Sequence, residues 1–538
     1  MVTSTSQFPF RAALIAGLVI ALAGCAGNEL GSDVAKATTT TTAKPSAGST
    51  TTTSVASGPT TTLAEPGPPS AASGFPADWQ PKPLVYTSCT ATPGAECADL
   101  EVPLDWSNPV GAQITLKVIK FASTGTPEER VGSMVSNPGG PGGSGIGYLS
   151  SEPNPFPNSL RKSFDLVSWD PRGVGESAGF TCGSGGQAAW DLDLDPDTPD
   201  ELNGLNTASS DGFADCATNA KDAPLLAHVG TDDQARDLEA IRRAIGDKRL
   251  TYLGFSYGTY LGERYLALFP ERVRAMVLDG AVDPRQKLTD LLTSQAKAQD
   301  DALGRILEAC TKNKACPLDD PFTQYDDVKN DVEAAGLDSS AGSRSVGPGE
   351  LGVATAYATY DPESWPVLWQ ALAAALDGDG QLLQDMADGY HDGSGGWTAY
   401  MAISCVDSTH PTTQAEWATF VDGLRQLSPR LGGNTGNEML PCATWPTAPK
   451  DSTGTVTGEG GPDILVLGNT GDAATPYEAS QQVAEMLTKG HLVTFQGEGH
   501  TSYSRSECVR QVTNNYLVTL EVPPQDPNCD DAGGNGGV

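Results

Sequence analysis

The sequence predicts an α/β protein: a mostly parallel sheet covered on both faces by helices, with a mainly helical insertion late in the chain. Three observations predict it. Short apolar, β-rich runs alternate with helical patterns, as strand–helix–strand units require. A long stretch rich in Ala and Leu then interrupts the alternation, and two further β-rich runs follow it. At 538 residues the chain is too long for one compact domain but ample for a sheet domain with an insertion and a tail.

Taken in order, the chain opens on Arg11 followed by an apolar run, Ala12 to Ala23, that ends in Leu22-Ala23-Gly24-Cys25. The run is short for a membrane span and reads as a signal segment over 1–24. Small residues just before a cysteine resemble the lipobox of bacterial lipoproteins, so Cys25 is the expected lipidated residue. An ordinary secretory signal with an incidental Cys25 is the alternative. Either way the protein is expected outside the cytoplasm, held by lipid on the outer face of the cell membrane or released to the medium. Residues 25–75 are Thr, Ser, Ala, Pro and Gly with almost no large apolar side chain, which predicts a disordered tether. Its threonine runs permit O-glycosylation.

Residues 76–284 are expected to form the first part of the sheet domain. Its strands are read at Ile114–Phe121, Val131–Ser136, Phe164–Trp169, Leu250–Leu253 and Val273–Leu278. A helix over Thr231–Ile245 places Ala235, Leu238, Ile241 and Ile245 on one face. Thr231 is its expected N-cap, with Asp232 and Asp233 favourable in the first turn. Residues 285–455, with helical stretches at Ser364–Leu376 and Ala415–Leu427, are expected to form a cap over one edge of the sheet. The sheet resumes over 456–522 with Ile464–Leu467 and Leu492–Phe495, and 523–538 is expected to be a loose tail.

Charge and cysteines narrow the function classes. There are 33 Lys plus Arg against 67 Asp plus Glu, a net charge of −34, which repels nucleic acid and anionic lipid head groups. Setting Cys25 aside leaves ten cysteines, an even number in an exported chain, so disulfides are expected. None forms a CxxC pair, which argues against zinc ribbons and redox motifs. Sequence alone does not fix connectivity; nearest-neighbour pairing would join Cys89–Cys97, Cys182–Cys216, Cys310–Cys316, Cys405–Cys442 and Cys508–Cys529.

The chemistry centres on Gly254-Phe255-Ser256-Tyr257-Gly258, a G-x-S-x-G between an apolar strand and an amphipathic helix. A nucleophile there sits on a strained strand-to-helix turn, and the flanking glycines let helix and strand approach closely. Ser256 needs a base, and only five histidines exist. His228 precedes the nucleophile, His391 and His410 lie in the insertion, and His491 opens the last strand at the wrong end. His500 follows that strand at its carboxyl end, where α/β sites gather. The orienting acid is expected after a strand between the two. Asp463 starts its strand, whereas Asp472 follows Ile464–Leu467 at the carboxyl end. The glycine loop Asn137 to Gly145 supplies the oxyanion donor, from Gly140 or its neighbour Gly139, and the N–H of Tyr257 supplies the other. A phosphate-binding loop is the rival reading, but no Gly-Lys-Ser/Thr ends it. No cofactor and no metal is expected.

Together, Pro138-Gly-Gly-Pro-Gly, Trp169-Asp-Pro-Arg-Gly-Val-Gly-Glu-Ser177, the serine motif, Leu278-Asp-Gly-Ala-Val-Asp-Pro284 and Gly497-Glu-Gly-His-Thr501 resemble the prolyl aminopeptidase-like serine peptidases of the α/β-hydrolase fold. The likeness runs from about Leu84 to Leu520 and is greatest to actinobacterial tripeptidyl aminopeptidases and their mycobacterial cell-envelope relatives. Prolyl aminopeptidases carry His where Pro138 stands, which weakens proline-specific cleavage. The resemblance implies an exopeptidase whose acidic cap residues hold the free amino terminus of a peptide, with Glu363 and Asp407 as candidates. It leaves Asp170 and Arg172 to fix the loop beside the site. An esterase or lipase with the same triad is the alternative, and a catalytically silent envelope protein a distant third.

Overall fold

The computed structural model describes Gly67 and residues 70–151, 154–183, 192–340, 345–393 and 396–530. The signal segment, Cys25 and most of the tether lie outside the described residues. Ten strands form one sheet. The first three, β1 (Thr87–Ser88), β2 (Glu96–Pro103) and β3 (Gln113–Phe121), are antiparallel. β3 then pairs antiparallel with β5 (Phe164–Trp169). From there β5, β4 (Gly132–Asn137), β6 (Leu250–Phe255), β7 (Val273–Asp279), β8 (Ile464–Gly471) and β9 (Gly490–Glu498) run parallel. The two-residue β10 (Asn528–Cys529) closes the far edge.

All seven strands read from the sequence are present. β2 was missed because Glu96-Cys-Ala-Asp-Leu-Glu-Val-Pro has few branched residues, yet it buries Ala98, Leu100 and Val102 and exposes Asp99 and Glu101. The central strands are buried along nearly their whole length because both faces are covered. Adjacent residues serve opposite faces: Tyr252 packs with Leu238, Ile241 and Leu261, whereas Leu253 packs with Val277, Leu465 and Leu517.

Two further differences have clear causes. The Thr231–Ile245 helix begins where expected, but Gly230 is its N-cap. Thr231 does not cap it, because its hydroxyl donates instead to Asp407 and meets the Tyr257 hydroxyl. The tether also ends before Phe75, which is buried against Trp106 and Phe269.

The insertion is helical, as predicted. Leu303, Ile306 and Leu307 of the Leu288–Lys312 helix pack with Leu368 and Leu372 of the Trp365–Leu376 helix. A second cluster joins Val406, Trp417 and Met439 to Leu205, Phe213 and Leu225, so the segment after β5 also packs into the helical region. The five disulfides join the nearest-neighbour pairs, and Cys508–Cys529 brings the start of the tail against β9. Among the described residues no helix is long and apolar enough to cross a membrane.

Candidate active site

Ser256 stands at the carboxyl end of β6, immediately before the Tyr257–Leu268 helix. Its backbone is strained, with φ 54° and ψ −130°. Such a conformation costs roughly 1–3 kcal/mol and persists only where the surroundings over-determine it. Here the Ser256 N–H donates to the Asp279 carbonyl at 2.9 Å. A Cβ on Gly254 would lie 2.3 Å from the Gly258 carbonyl oxygen, so the turn excludes any side chain at that position. Tyr257 opens the helix, and its N–H has no intrahelical acceptor.

The glycine loop after β4 divides the two oxyanion candidates. Gly139 donates its N–H to Asn137 Oδ1 at 2.9 Å and accepts from Gly143 N–H at 3.1 Å, so its donor is already engaged. The expectation for Gly139 is therefore corrected: it shapes the loop against the serine turn. Gly140 lines the same cavity as Ser256, and its N–H has no acceptor among the described residues. Asp170 holds this loop by accepting from Ser144 Oγ at 2.6 Å and from the Ile146 N–H at 3.2 Å. Arg172 is fully buried and spends every donor on Asp237 and the carbonyls of Pro103, Leu104 and His228.

His500 and Asp472 are brought together at the carboxyl ends of β9 and β8. His500 Nδ1 lies 3.0 Å from both carboxyl oxygens. Asp472 also accepts from the N–H groups of Ala474, Thr475 and Thr501 and from the Thr475 hydroxyl. Burial pushes its pKa up, but the nearby His500 and these donors outweigh that and hold it below the ordinary aspartate value. Thr475 Oγ1, 3.3 Å from His500 Nδ1, is a neighbour of the pair that the strand pattern did not single out. Beneath them, buried Asp279 accepts from the N–H groups of Ser502 and Tyr503 and from the Ser502 hydroxyl, tying the His500 loop to the strand beside Ser256.

Ser256 and His500 line one cavity of about 390 Å³ between the sheet and the insertion. The two cap acids read from the sequence fare differently. Glu363 is exposed and does not line the cavity, which removes its expected role there. Asp407 lines the cavity but is pinned, accepting from the N–H and hydroxyl of Thr231 and from the Ser452 hydroxyl. Burial pushes its pKa up to about 7.

Sequence reasoning missed Glu438. It lines the cavity beside Tyr360, Tyr390 and Tyr400, and accepts a hydrogen bond from Tyr400. Burial pushes its carboxyl up to about 7. The available signal was a lone acid in the otherwise uncharged stretch Leu431 to Trp445.

This sheet, with a serine turn and a histidine–aspartate pair gathered at its carboxyl edge, defines an α/β-hydrolase of the serine type. A family model described as TAP-like protein matches residues 428–529. The chain is 34% identical to serine protease Hip1 of Mycobacterium tuberculosis H37Rv over 85% of its own length and 91% of that protein. It is 31% identical to the tripeptidyl aminopeptidase of Streptomyces lividans, covering 84% of this chain and 85% of that one. Carboxylesterase B of M. tuberculosis H37Rv is 32% identical over 81% of this chain and 86% of its own. The chain belongs to this tripeptidyl aminopeptidase-like family of α/β-hydrolase serine peptidases.

Proposed function

We propose that the protein is an exported serine exopeptidase that releases short peptides, tripeptides foremost, from free N-termini. The observation that carries this reading is Glu438, a half-buried carboxyl among tyrosines in the cavity that also holds Ser256 and His500. Tyrosine faces and a desolvated carboxylate together suit an ammonium group. The His500 and Tyr360 rings are 5.1 Å apart and the Tyr360 and Tyr390 rings 5.9 Å, so the tyrosines of this wall begin beside the base.

In this mechanism His500 takes the Ser256 proton as Ser256 Oγ attacks the scissile carbonyl. The oxyanion that forms is met by the N–H groups of Gly140 and Tyr257. Asp472 fixes the imidazole through Nδ1 and stabilises the imidazolium. His500 then returns the proton to the leaving amine, and water, deprotonated by the same base, releases the peptide from the acyl-enzyme.

Export rests on the signal-like start and on five disulfides, which suit an oxidising compartment; acylation at Cys25 would then hold the protein to the membrane. The likeness to carboxylesterase B favours the second reading, an envelope esterase with the same triad. One panel separates the two: a fluorophosphonate label, a free and an N-blocked tripeptidyl reporter, and a fatty-acyl ester. The exopeptidase reading expects labelling at Ser256 and cleavage of the free tripeptide alone. Equal cleavage of the blocked peptide, or preference for the ester, would sink it.

A further inference from the structure

One side chain clips the loop that carries His500 to the cap. Arg505 Nε donates to the His500 carbonyl at 3.2 Å, Nη2 donates to the Tyr360 carbonyl at 2.8 Å, and Nη1 pairs with Asp361 at 3.1 Å. The His500 N–H donates to the same Tyr360 carbonyl at 2.8 Å. That carbonyl ends the Pro348–Tyr360 helix, where acceptors lack intrahelical donors. Two donors from the histidine loop therefore complete a helix end of the cap. The contact is tight: a Cβ on Gly499 would lie 2.8 Å from both the Tyr360 oxygen and Pro362 Cδ.

The core holds the other side of this loop. Asp472 takes the imidazole Nδ1 and the Thr501 N–H, and Asp279 takes the peptide groups of Ser502 and Tyr503. The peptide groups of His500 itself are held where the loop meets the cap, its N–H by Tyr360 of the cap and its carbonyl by Arg505 of its own loop, which is itself anchored on Tyr360 and Asp361. Neither Arg505 nor Asp361 lines the cavity, so neither is placed to touch substrate.

We propose that Arg505 is a positioning residue for His500, and that through it the cap turn Tyr360–Ser364 sets where the base stands relative to Ser256. The inference rests on the reading of Ser256 as nucleophile and His500 as base. The guanidinium spreads its donors over three nitrogens that reach three separate acceptors, whereas the donors of an ammonium radiate from one atom, so Lys is an incomplete substitute. Asp361 contributes least, because its ion pair with Arg505 is partly exposed.

The test uses the full-length folded protein and its Arg505→Met, Arg505→Lys and Asp361→Asn variants. It measures kcat and KM on a free-amine tripeptidyl reporter, the rate of fluorophosphonate labelling, and the melting temperature. Arg505→Met should lower kcat about 10–100-fold, the scale of a misplaced catalytic group, with KM within twofold and labelling slowed in parallel. Arg505→Lys should recover part of that loss, and Asp361→Asn should stay within about threefold of wild type, since both carbonyl bonds remain. A kcat within twofold of wild type in Arg505→Met, or a raised KM at unchanged kcat, would overturn the proposal. If Arg505→Met does not fold, Arg505→Lys decides: kcat lowered at an unchanged melting temperature supports positioning, and an unchanged kcat refutes it. A wild-type chain that resists the label would instead remove the nucleophile assignment, and the proposal with it.

Discussion

Asp472, buried in the core, and Glu438, half-buried in the cap, lie on opposite sides of ordinary carboxylate behaviour. Burial raises both. What separates them is supply: Asp472 is met by three backbone N–H groups, a hydroxyl and an imidazole, whereas Glu438 has the Tyr400 hydroxyl. The core thus holds a standing anion, and the cap a carboxyl whose charge awaits a cation. Donor count, not depth, decides which is which.

The largest effect expected from breaking this contrast is at the served carboxylate. Asp472→Asn should lower kcat about 10⁴-fold by favouring the wrong imidazole tautomer, while KM barely moves. Residual activity above a tenth of wild type would show that Asp472 does not orient His500. Next comes another well-supplied core group. Arg172→Met leaves Asp237 buried and uncompensated, and should cost about 3–5 kcal/mol in urea unfolding; a loss below about 1 kcal/mol would contradict the account of that pair.

The under-supplied cap acid should show itself in binding. Glu438→Gln should raise KM for a free-amine tripeptide about 10–100-fold, the worth of a desolvated charge-assisted bond, and leave the rate of fluorophosphonate labelling unchanged. The wild-type pH profile follows from the sign of the shift. Below about 7 Glu438 takes up a proton and the ion pair with the substrate ammonium is lost, so KM rises as pH falls. Above about 8 the peptide amine itself loses its charge. A wild-type KM flat between pH 6 and 8 would count against Glu438 as the anchor.

The smallest effect sharpens the contrast at Glu263, fully buried with neither carboxyl oxygen paired among the described residues. Burial raises its pKa well above the ordinary value, so folding opposes its ionisation. That penalty is absent below the unfolded value near 4.3 and grows as pH rises above it. Glu263→Gln should therefore raise stability more at pH 8 than at pH 4. Equal melting shifts at both values would mean the group does not titrate between them.

The same contrast explains what was legible in the sequence. Ser256, His500 and Asp472 are fixed by strand direction and by the few residues a strained turn tolerates, and both leave local patterns. β8 and β9 announce their ends, so Asp472 and His500 beyond them could be placed at the carboxyl edge without coordinates. Gly139 and Gly140 could not be separated, because the difference is one side-chain bond from Asn137. The cap is read less well for a physical reason. Whether an acid there faces the cavity depends on how helices distant in sequence pack, and no period encodes that. Glu363 was read as a candidate and Glu438 was not, yet the first ends exposed and the second among tyrosines. Asp407, the other candidate, does line the cavity, but its engagement by Thr231 crosses 176 residues of chain.

The bond between Cys405 and Cys442 closes a loop that contains both Asp407 and Glu438. The two acids that face the cavity from the cap are therefore carried on one covalently bounded cassette, while Ser256, Asp472 and His500 lie outside it. The proposed substrate anchor and the proposed triad are in this sense separable. A graft between relatives that exchanges the segment from Cys405 to Cys442, with both cysteines included, moves the two acids together and leaves the recipient's counterparts of Ser256, Asp472 and His500 in place.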